Sequence, residues 1–210
     1  MIARKLVRPL AVAGVAALLS GCISLLPESD PVQLYRFEGR LESAGAAAPA
    51  SSSFGVLLPD SGFVQASSGD RILTINGPEA AYIADARWVA PAETLFQEAV
   101  ERAFDANPGP ARLVARGGLQ QSDLTLRLDV RRFEANYDNG LRSPPEILVR
   151  VQASLVARAD RAVLGDRAFE VRVRADDNRV SEIVEAFDEA TAGVLGQLVD
   201  WTNRTAPSGG

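Results

Sequence analysis

A run of alternating residues in the middle of the chain places the strongest constraint on its fold. The apolar positions of this run are Leu124, Leu126, Leu128 and Val130, with polar residues between them. Since successive side chains of a strand point to opposite faces, the pattern predicts a strand buried on one side. The apolar phase then moves to odd positions at Phe133, Ala135 and Tyr137. This shift requires a β-bulge near Arg131 and Arg132, or an end of burial.

Two further long strands are predicted at residues 147–157 and 167–174, the second with Phe169, Val171 and Val173 on one side. The connections at 138–140 and 160–165 are short and rich in turn residues, which predicts an antiparallel meander. Shorter strands are predicted earlier in the chain, at residues 34–37, 54–58, 71–75, 80–88 and 112–115.

Two amphipathic helices complete the predicted fold. The first begins near Pro91, and its apolar residues recur at helical spacing as Leu95, Phe96, Ala99, Val100, Ala103 and Phe104. The second follows the capping residues at 176–178 and carries one apolar stripe as far as Val199. We therefore expect a single α+β domain over residues 34–201, with a mostly antiparallel sheet, two helices packed on it, and a disordered tail at 202–210.

The N-terminus has the features of an export signal. Three cations in the first eight residues precede an apolar stretch at 10–19 that is too short to span a bilayer, so residues 1–21 are interpreted as a signal peptide. The stretch ends in Leu19, Ser20, Gly21 and Cys22, which resembles a bacterial lipobox. We expect Cys22 to be acylated and residues 22–33 to form a tether. A plain secretory signal followed by an incidental cysteine is the alternative.

The residue after Cys22 bears on the destination of the protein. An aspartate at this position is similar to an inner-membrane retention signal, whereas this chain has Ile23. The sequence therefore favours anchoring in the outer membrane with the domain facing the periplasm, and inner-membrane anchoring stays the alternative.

Composition excludes several classes of function. The chain has no histidine and only one cysteine, which rules out His-dependent triads, His metal sites and thiolate-rich metal sites. Its net charge of −5 disfavours nucleic-acid binding. The pair Gly117 and Gly118 lacks the spacing of either nucleotide-binding motif. We expect no catalytic residues, no cofactor and no metal.

Several segments together resemble the ABC-type transport auxiliary lipoprotein family. They are CISLLP (22–27), QLYRF (33–37), ADARWVAP (84–91), LDVRRFEANY (128–137), AFD (186–188) and LVDW (198–201). The resemblance covers nearly the whole mature chain, although residues 70–77 match only a subset of relatives. It implies a periplasmic lipoprotein that works with an ABC permease, its ATPase and a substrate-binding subunit of the mammalian-cell-entry type. Such systems are similar to those that move phospholipids between membranes.

Individual residues allow a functional and a structural interpretation. Trp88 beside Arg87, and Trp201, could recognise a partner or lipid headgroup, but large aromatics dominate protein cores as well, and we expect core anchors. Two arginines and a glutamate, at Arg131, Arg132 and Glu134, suit either a partner-facing strand edge or a solvated sheet face.

Acidic residues offer one route to catalysis. Asp176 and Asp177, with Asp123 or Asp129, could form a cation site or an acid–base pair, but helix capping and strand polarity explain them more simply.

The expected function is therefore a scaffold or docking subunit. A lipid carrier with a cavity between helix and sheet, an envelope enzyme, and an unrelated envelope-assembly lipoprotein are the rivals. A homo-oligomer is compatible with the symmetry of transport assemblies.

Overall fold

Nine strands and three helices follow one another in the computed structural model, which describes residues 31–41, 53–114 and 122–206. The strands are β1 (Gln33–Tyr35), β2 (Phe54–Leu57), β3 (Gly62–Phe63), β4 (Arg71–Asn76), β5 (Glu79–Trp88), β6 (Ala111–Val114), β7 (Leu124–Asn136), β8 (Glu146–Ala157) and β9 (Val163–Arg174). The helices are α1 (Gln65–Ser68), α2 (Ala92–Ala106) and α3 (Val180–Thr205).

The longest strand, β7, contains the predicted bulge. Its pairing with β8 shifts register between Val130 and Arg132, at the place where the apolar phase of the sequence changes. The bulge adds one residue to β7, and the odd-numbered Phe133 and Ala135 are thereby returned to the buried face. One face of β7 stays apolar along its whole length.

The sheet is mixed, and the prediction of a mostly antiparallel sheet is wrong. The β7–β8–β9 meander is antiparallel as predicted, and so is the β4–β5 hairpin. Among the described strands, however, five of the eight pairings are parallel. They are β1–β5, β2–β6, β2–β7, β3–β7 and β4–β7.

Three of the five parallel pairings arise because three short strands pair with the long strand β7. β8 occupies one edge of β7, and β2, β3 and β4 share the other edge in chain order. Their partners on β7 begin at Leu124, Asp129 and Ala135. A short loop identifies only a hairpin between consecutive strands, so pairings with a strand this distant in sequence leave no local signal.

Helices α2 and α3 lie on one face of the sheet and bury the core against it. Their apolar stripes match the predicted ones, and Phe96, Phe104, Phe187 and Leu195 are fully buried. The four-residue α1 and the two-residue β3 were not predicted. The opposite face of the β7–β9 meander carries no described helix, and polar side chains cover it.

The C-terminal boundary also needs correction. Helix α3 continues to Thr205, so the predicted disordered tail begins too early. Thr202 is fully buried, and its hydroxyl donates a hydrogen bond to the carbonyl oxygen of Leu198 at 2.9 Å. The remainder of that tail at 207–210, the predicted signal peptide and most of the tether lie outside the described residues.

Candidate functional site

Rings from four separate segments meet on the helix-covered face of the sheet. Phe37 follows β1, Trp88 ends β5, Phe133 lies in β7 just beyond the bulge, and Phe187 lies in α3. The ring centroids of Phe37 and Trp88 are 5.1 Å apart, those of Trp88 and Phe187 5.3 Å, and those of Phe133 and Phe187 4.8 Å. Such pairs contribute roughly 0.5–1.5 kcal/mol each beyond the area that they bury. We call these four residues the aromatic cluster.

The aromatic cluster explains why four of the segments that carry the family resemblance have their particular residues. QLYRF, ADARWVAP, LDVRRFEANY and AFD contribute one ring each. The structure places Trp88 in the core, with only 2% of its surface exposed, where it has no face to offer a partner. The rings also occupy the space between helix and sheet in which a lipid carrier would need a cavity.

A carboxylate on α3 fixes the segment that follows β1. The backbone N–H groups of Glu38 and Gly39 donate to Oδ1 of Asp188 at 2.5 and 2.8 Å. Gly39 has a φ of +57°, and a Cβ there would come within 2.8 Å of the Thr191 methyl group. Only glycine fits so close to α3 in this conformation. Asp188, which belongs to the AFD segment, therefore fixes the backbone at the N-terminal start of the domain.

Trp201 packs at the other end of α3, over the meander. Its ring lies 5.7 Å from that of Phe169, and a Cβ at Gly165 would come within 3.0 Å of its Cζ2 atom. The side chain has one ring neighbour, and 8% of its surface is exposed. Trp201 is therefore a core residue whose ring edge contacts solvent. Its packing on Phe169 holds α3 against β9.

Arg87 points away from Trp88, to the open face of the sheet. Its Nη1 atom lies 3.2 Å from Oδ2 of Asp70, and the arginine side chain is partly exposed. On the same face of β7, Arg132 pairs with the buried carboxylate of Glu134 at 2.9 Å. These charges belong to a paired and partly solvated sheet surface, whereas Arg131 at the bulge pairs with Asp129 at 2.6 Å.

Three of the four acids weighed as catalytic residues, Asp123, Asp129 and Asp177, make local structural contacts. Asp123 accepts a hydrogen bond from the backbone N–H of Gly55 at 3.2 Å. Asp177 pairs with Arg179 at 3.0 Å directly before α3. Within the described ranges, no three acidic or thiol side chains come close enough to hold a metal ion.

Ion pairs on the open face shift the pKa values of their members. The Arg174 guanidinium donates to both oxygens of Asp138, at 2.5 and 2.8 Å, and this hydrogen bonding lowers the pKa of that carboxyl. The same contact raises the pKa of Arg174, and hydrogen bonds to Glu170 and Glu146 raise that of Arg172. Each of these three shifts favours the charged state, as expected of structural ion pairs rather than of proton-transfer groups. Burial alone raises the pKa of Tyr137.

Two open grooves flank α2. One, of about 460 Å³, lies between α2 and β6 and is lined partly by Glu101 and Asp105, so it would repel an anionic headgroup. The other, of about 440 Å³, has an apolar lining that includes Leu41. Arg102 at its edge lies 3.6 Å from Glu98. Both grooves are open to solvent along one side, so neither would shield a ligand from water.

The residues predicted to carry or precede the lipid anchor cannot be located in the described part of the chain. Cys22 and the lipobox positions Leu19, Ser20 and Gly21 lie outside the described residues. None of the three described helices is both long and apolar enough to cross a bilayer.

Comparison with known proteins identifies relatives of this fold. A crystal structure of protein XCC0632 from Xanthomonas campestris is 27% identical, covers 82% of this chain and 96% of its own, and superimposes with a TM-score of 0.70. The crystal structure of an uncharacterized protein, 11% identical, covers 82% and 99% of the two chains with a TM-score of 0.64, which shows a shared fold alone. No curated protein matches the sequence.

The strongest statement on identity comes from a family model. The model of the ABC-type transport auxiliary lipoprotein component matches residues 65–199, which run from α1 to near the end of α3 and make up more than half of the chain. This span includes three rings of the aromatic cluster and the Asp188 carboxylate. The chain therefore belongs to the family of ABC-type transport auxiliary lipoprotein components.

Proposed function

We propose that this protein is a non-catalytic accessory subunit that docks on an ABC transport complex from the periplasm. The observation that carries the proposal is the family match over residues 65–199. In this proposal Cys22 is the acylated residue, and the anchor lies in the outer membrane because Ile23 follows it. Tethering raises the local concentration of the domain, so that weak docking on a partner is sufficient.

The partner complex that we propose is of the mammalian-cell-entry type, with a phospholipid as its cargo. This finer assignment rests on the resemblance of the six sequence segments, four of which supply the rings of the aromatic cluster. Each of these four segments places one ring in the interior of the domain, so the resemblance includes the residues that pack its core.

A docking role suits this interior better than a carrier role does. The aromatic cluster fills the layer between α3 and the sheet, and the grooves beside α2 are open to solvent. A carrier must shield acyl chains from water, which requires an enclosed apolar cavity. Extraction of the purified protein is expected to yield no stoichiometric phospholipid, and one lipid per chain would instead favour the carrier.

The proposal is tested by crosslinking the lipidated protein in its native envelope and identifying the captured proteins by mass spectrometry. We expect a mammalian-cell-entry subunit and an ABC permease. Cys22→Ser is the matched control, because it removes the acylated sulfur and leaves the domain unchanged. Capture by the wild type of peptidoglycan enzymes alone would refute the transport role.

A further inference from the structure

We propose that the β1 edge of the sheet is a membrane-docking surface that rests on phospholipid. This inference depends on the anchoring of Cys22 that forms part of the proposed function. Its starting observation is an unusual exposure of aliphatic side chains at one corner of the sheet. Val32 is 46% exposed, Leu34 62% and Val89 45%.

The strand register places these side chains on one face. Leu34 and Arg87 are partners in the parallel β1–β5 pair, and Arg71 is the partner of Arg87 in the antiparallel β4–β5 pair. Paired residues of neighbouring strands point to the same side of a sheet. Leu34, Arg87 and Arg71 therefore form a row across three strands.

The period of two extends the row into a patch. Val32 precedes Leu34 by two residues, Arg36 follows it by two, and Val89 follows Arg87 by two. The residues between them point the other way, and Phe37 and Trp88 enter the aromatic cluster. We define the β1 patch as Leu34, Arg71 and Arg87 of this row together with Val32, Arg36 and Val89, which directly flank β1 and β5 at the same corner of the sheet.

The chemistry of the β1 patch fits a phospholipid surface. Aliphatic side chains enter the boundary between headgroups and acyl chains, and arginines keep their guanidinium groups at the phosphates. The Arg71 guanidinium stacks 3.8 Å from the Tyr82 ring centre. Arg36 lies 4.0 Å from Glu38 and Arg87 lies 3.2 Å from Asp70, in exposed ion pairs that lipid phosphates can compete with. The three arginines give this corner a positive charge, although the net charge of the whole chain is −5.

Chain connectivity brings the β1 patch to the membrane. Gln33 begins β1 eleven residues after Cys22. An extended chain covers at most about 3.6 Å per residue, so an acylated Cys22 keeps β1 within roughly 40 Å of the bilayer. The hydrogen bonds from Glu38 and Gly39 to Asp188 fix the following segment on α3. The edge strand nearest the anchor in sequence is thus the one where Val32, Leu34 and Val89 lie exposed together.

Val163 supplies a matched control for the test. It is 65% exposed, close to the value for Leu34, and it begins β9, at the opposite edge of the path β1–β5–β4–β7–β8–β9. Five strand spacings of about 4.8 Å separate the two edges, or roughly 24 Å. A bilayer in contact with β1 would leave β9 in water.

The experiment uses the full mature, acylated protein bound to vesicles of phosphatidylethanolamine with a quarter phosphatidylglycerol. Leu34→Cys and Val163→Cys each introduce the only reactive thiol, because Cys22 is the single natural cysteine and is acylated. A polarity-sensitive fluorophore is attached, and its quenching by aqueous iodide is compared in vesicles and in detergent. We expect quenching at position 34 to fall several-fold in vesicles and quenching at position 163 to stay unchanged.

Each other outcome is decisive. Equal quenching at both positions in floated vesicles overturns the docking surface while the anchor stands. Shielding of position 34 that appears only after the transport complex is added assigns the patch to a protein partner, which also overturns the inference. Protein that does not float with the vesicles lacks the acyl anchor, so the inference fails together with the anchoring on which it rests. The crosslinking experiment with the transporter tests the proposed function independently of these three outcomes.

Discussion

The two faces of the sheet use the same strands but are stabilised by different interactions. On the helix-covered face, Phe133 packs against four other rings, and water is excluded. The next residue, Glu134, points to the open face and pairs with Arg132. The packing on the covered face is therefore expected to contribute most of the free energy of unfolding, whereas the open face is charged and in contact with water.

The open face of the meander is a ladder of ion pairs. Arg172 lies 2.9 Å from Glu170 and 3.1 Å from Glu146, and Arg150 lies 3.5 Å from Glu170. Leu148 is an apolar residue on this face, yet only 7% of its surface is exposed, since long charged side chains surround it. Exposed ion pairs of this kind contribute roughly 0–1 kcal/mol each, so the ladder can be changed at little cost to folding.

The largest difference between the faces should appear on truncating Trp88. Trp88→Ala removes a fully packed ring at the centre of the aromatic cluster, and we expect the free energy of unfolding to fall by about 3–5 kcal/mol. Arg172→Ala on the open face is the control and should cost far less, because its ion pairs are exposed and screened by solvent. Urea unfolding followed by far-ultraviolet circular dichroism gives both values. Similar losses for the two variants would mean that the open face contributes far more than its exposed ion pairs suggest.

A smaller loss of stability than that of Trp88→Ala is expected on substituting Asp188, which holds the segment after β1 against α3. Asp188→Ala leaves the N–H groups of Glu38 and Gly39 without their shared acceptor, which should lower the free energy of unfolding by about 1–3 kcal/mol. Glu189→Ala, at an exposed position of the same helix, is the matched control. Hydrogen exchange locates the effect, because the amides of Glu38 and Gly39 should lose protection before those of β7. Unchanged exchange at these two amides would contradict the role given to Asp188.

The sequence predicted the covered face better than it predicted the topology. Alternation in β7 and the change of phase at its bulge are visible in the order of side chains, because burial on one face acts on every second residue. The partners of β7 are not visible in the same way. Its pairings with β2, β3 and β4 join strands that are far apart in the chain, and the two residues of β3 are too few to show any period.

Candidate residues were predictable to the extent that they are large and apolar. Trp88 and Trp201 could be expected in the core from their type alone. Asp188 could not be singled out from among the acids of α3, because its role depends on a backbone segment 149 and 150 residues earlier in the chain. Only its place beside Phe187 in the AFD segment marked it. The lipidation of Cys22 stays a prediction.

The smallest expected effect lies at the end of the open-face ladder and depends on pH. Arg174 lowers the pKa of Asp138 in the folded protein, so the contribution of this pair is present above the ordinary aspartate pKa. It is lost as the pH falls through the lowered folded-state value, because the unfolded chain then binds a proton more readily. Asp138→Asn removes this dependence. We therefore expect the wild type to lose its small stability advantage over this variant below roughly pH 5, at the start of aspartate protonation.

The measurement is the urea midpoint of both proteins from neutral to acidic pH. Asp200→Asn on α3 is the control, because its carboxylate lies 4.0 Å from Arg204 and accepts no bidentate hydrogen bond there. Asp138 is exposed, with 38% of its side chain accessible, so solvent screening should keep the difference smaller than that of Asp188→Ala. If the difference in urea midpoint between wild type and Asp138→Asn increased as the pH fell, the Asp138–Arg174 pair would not have the stabilising effect assigned to it. The open face would then contain a repulsive contact where the covered face has only attractive ones.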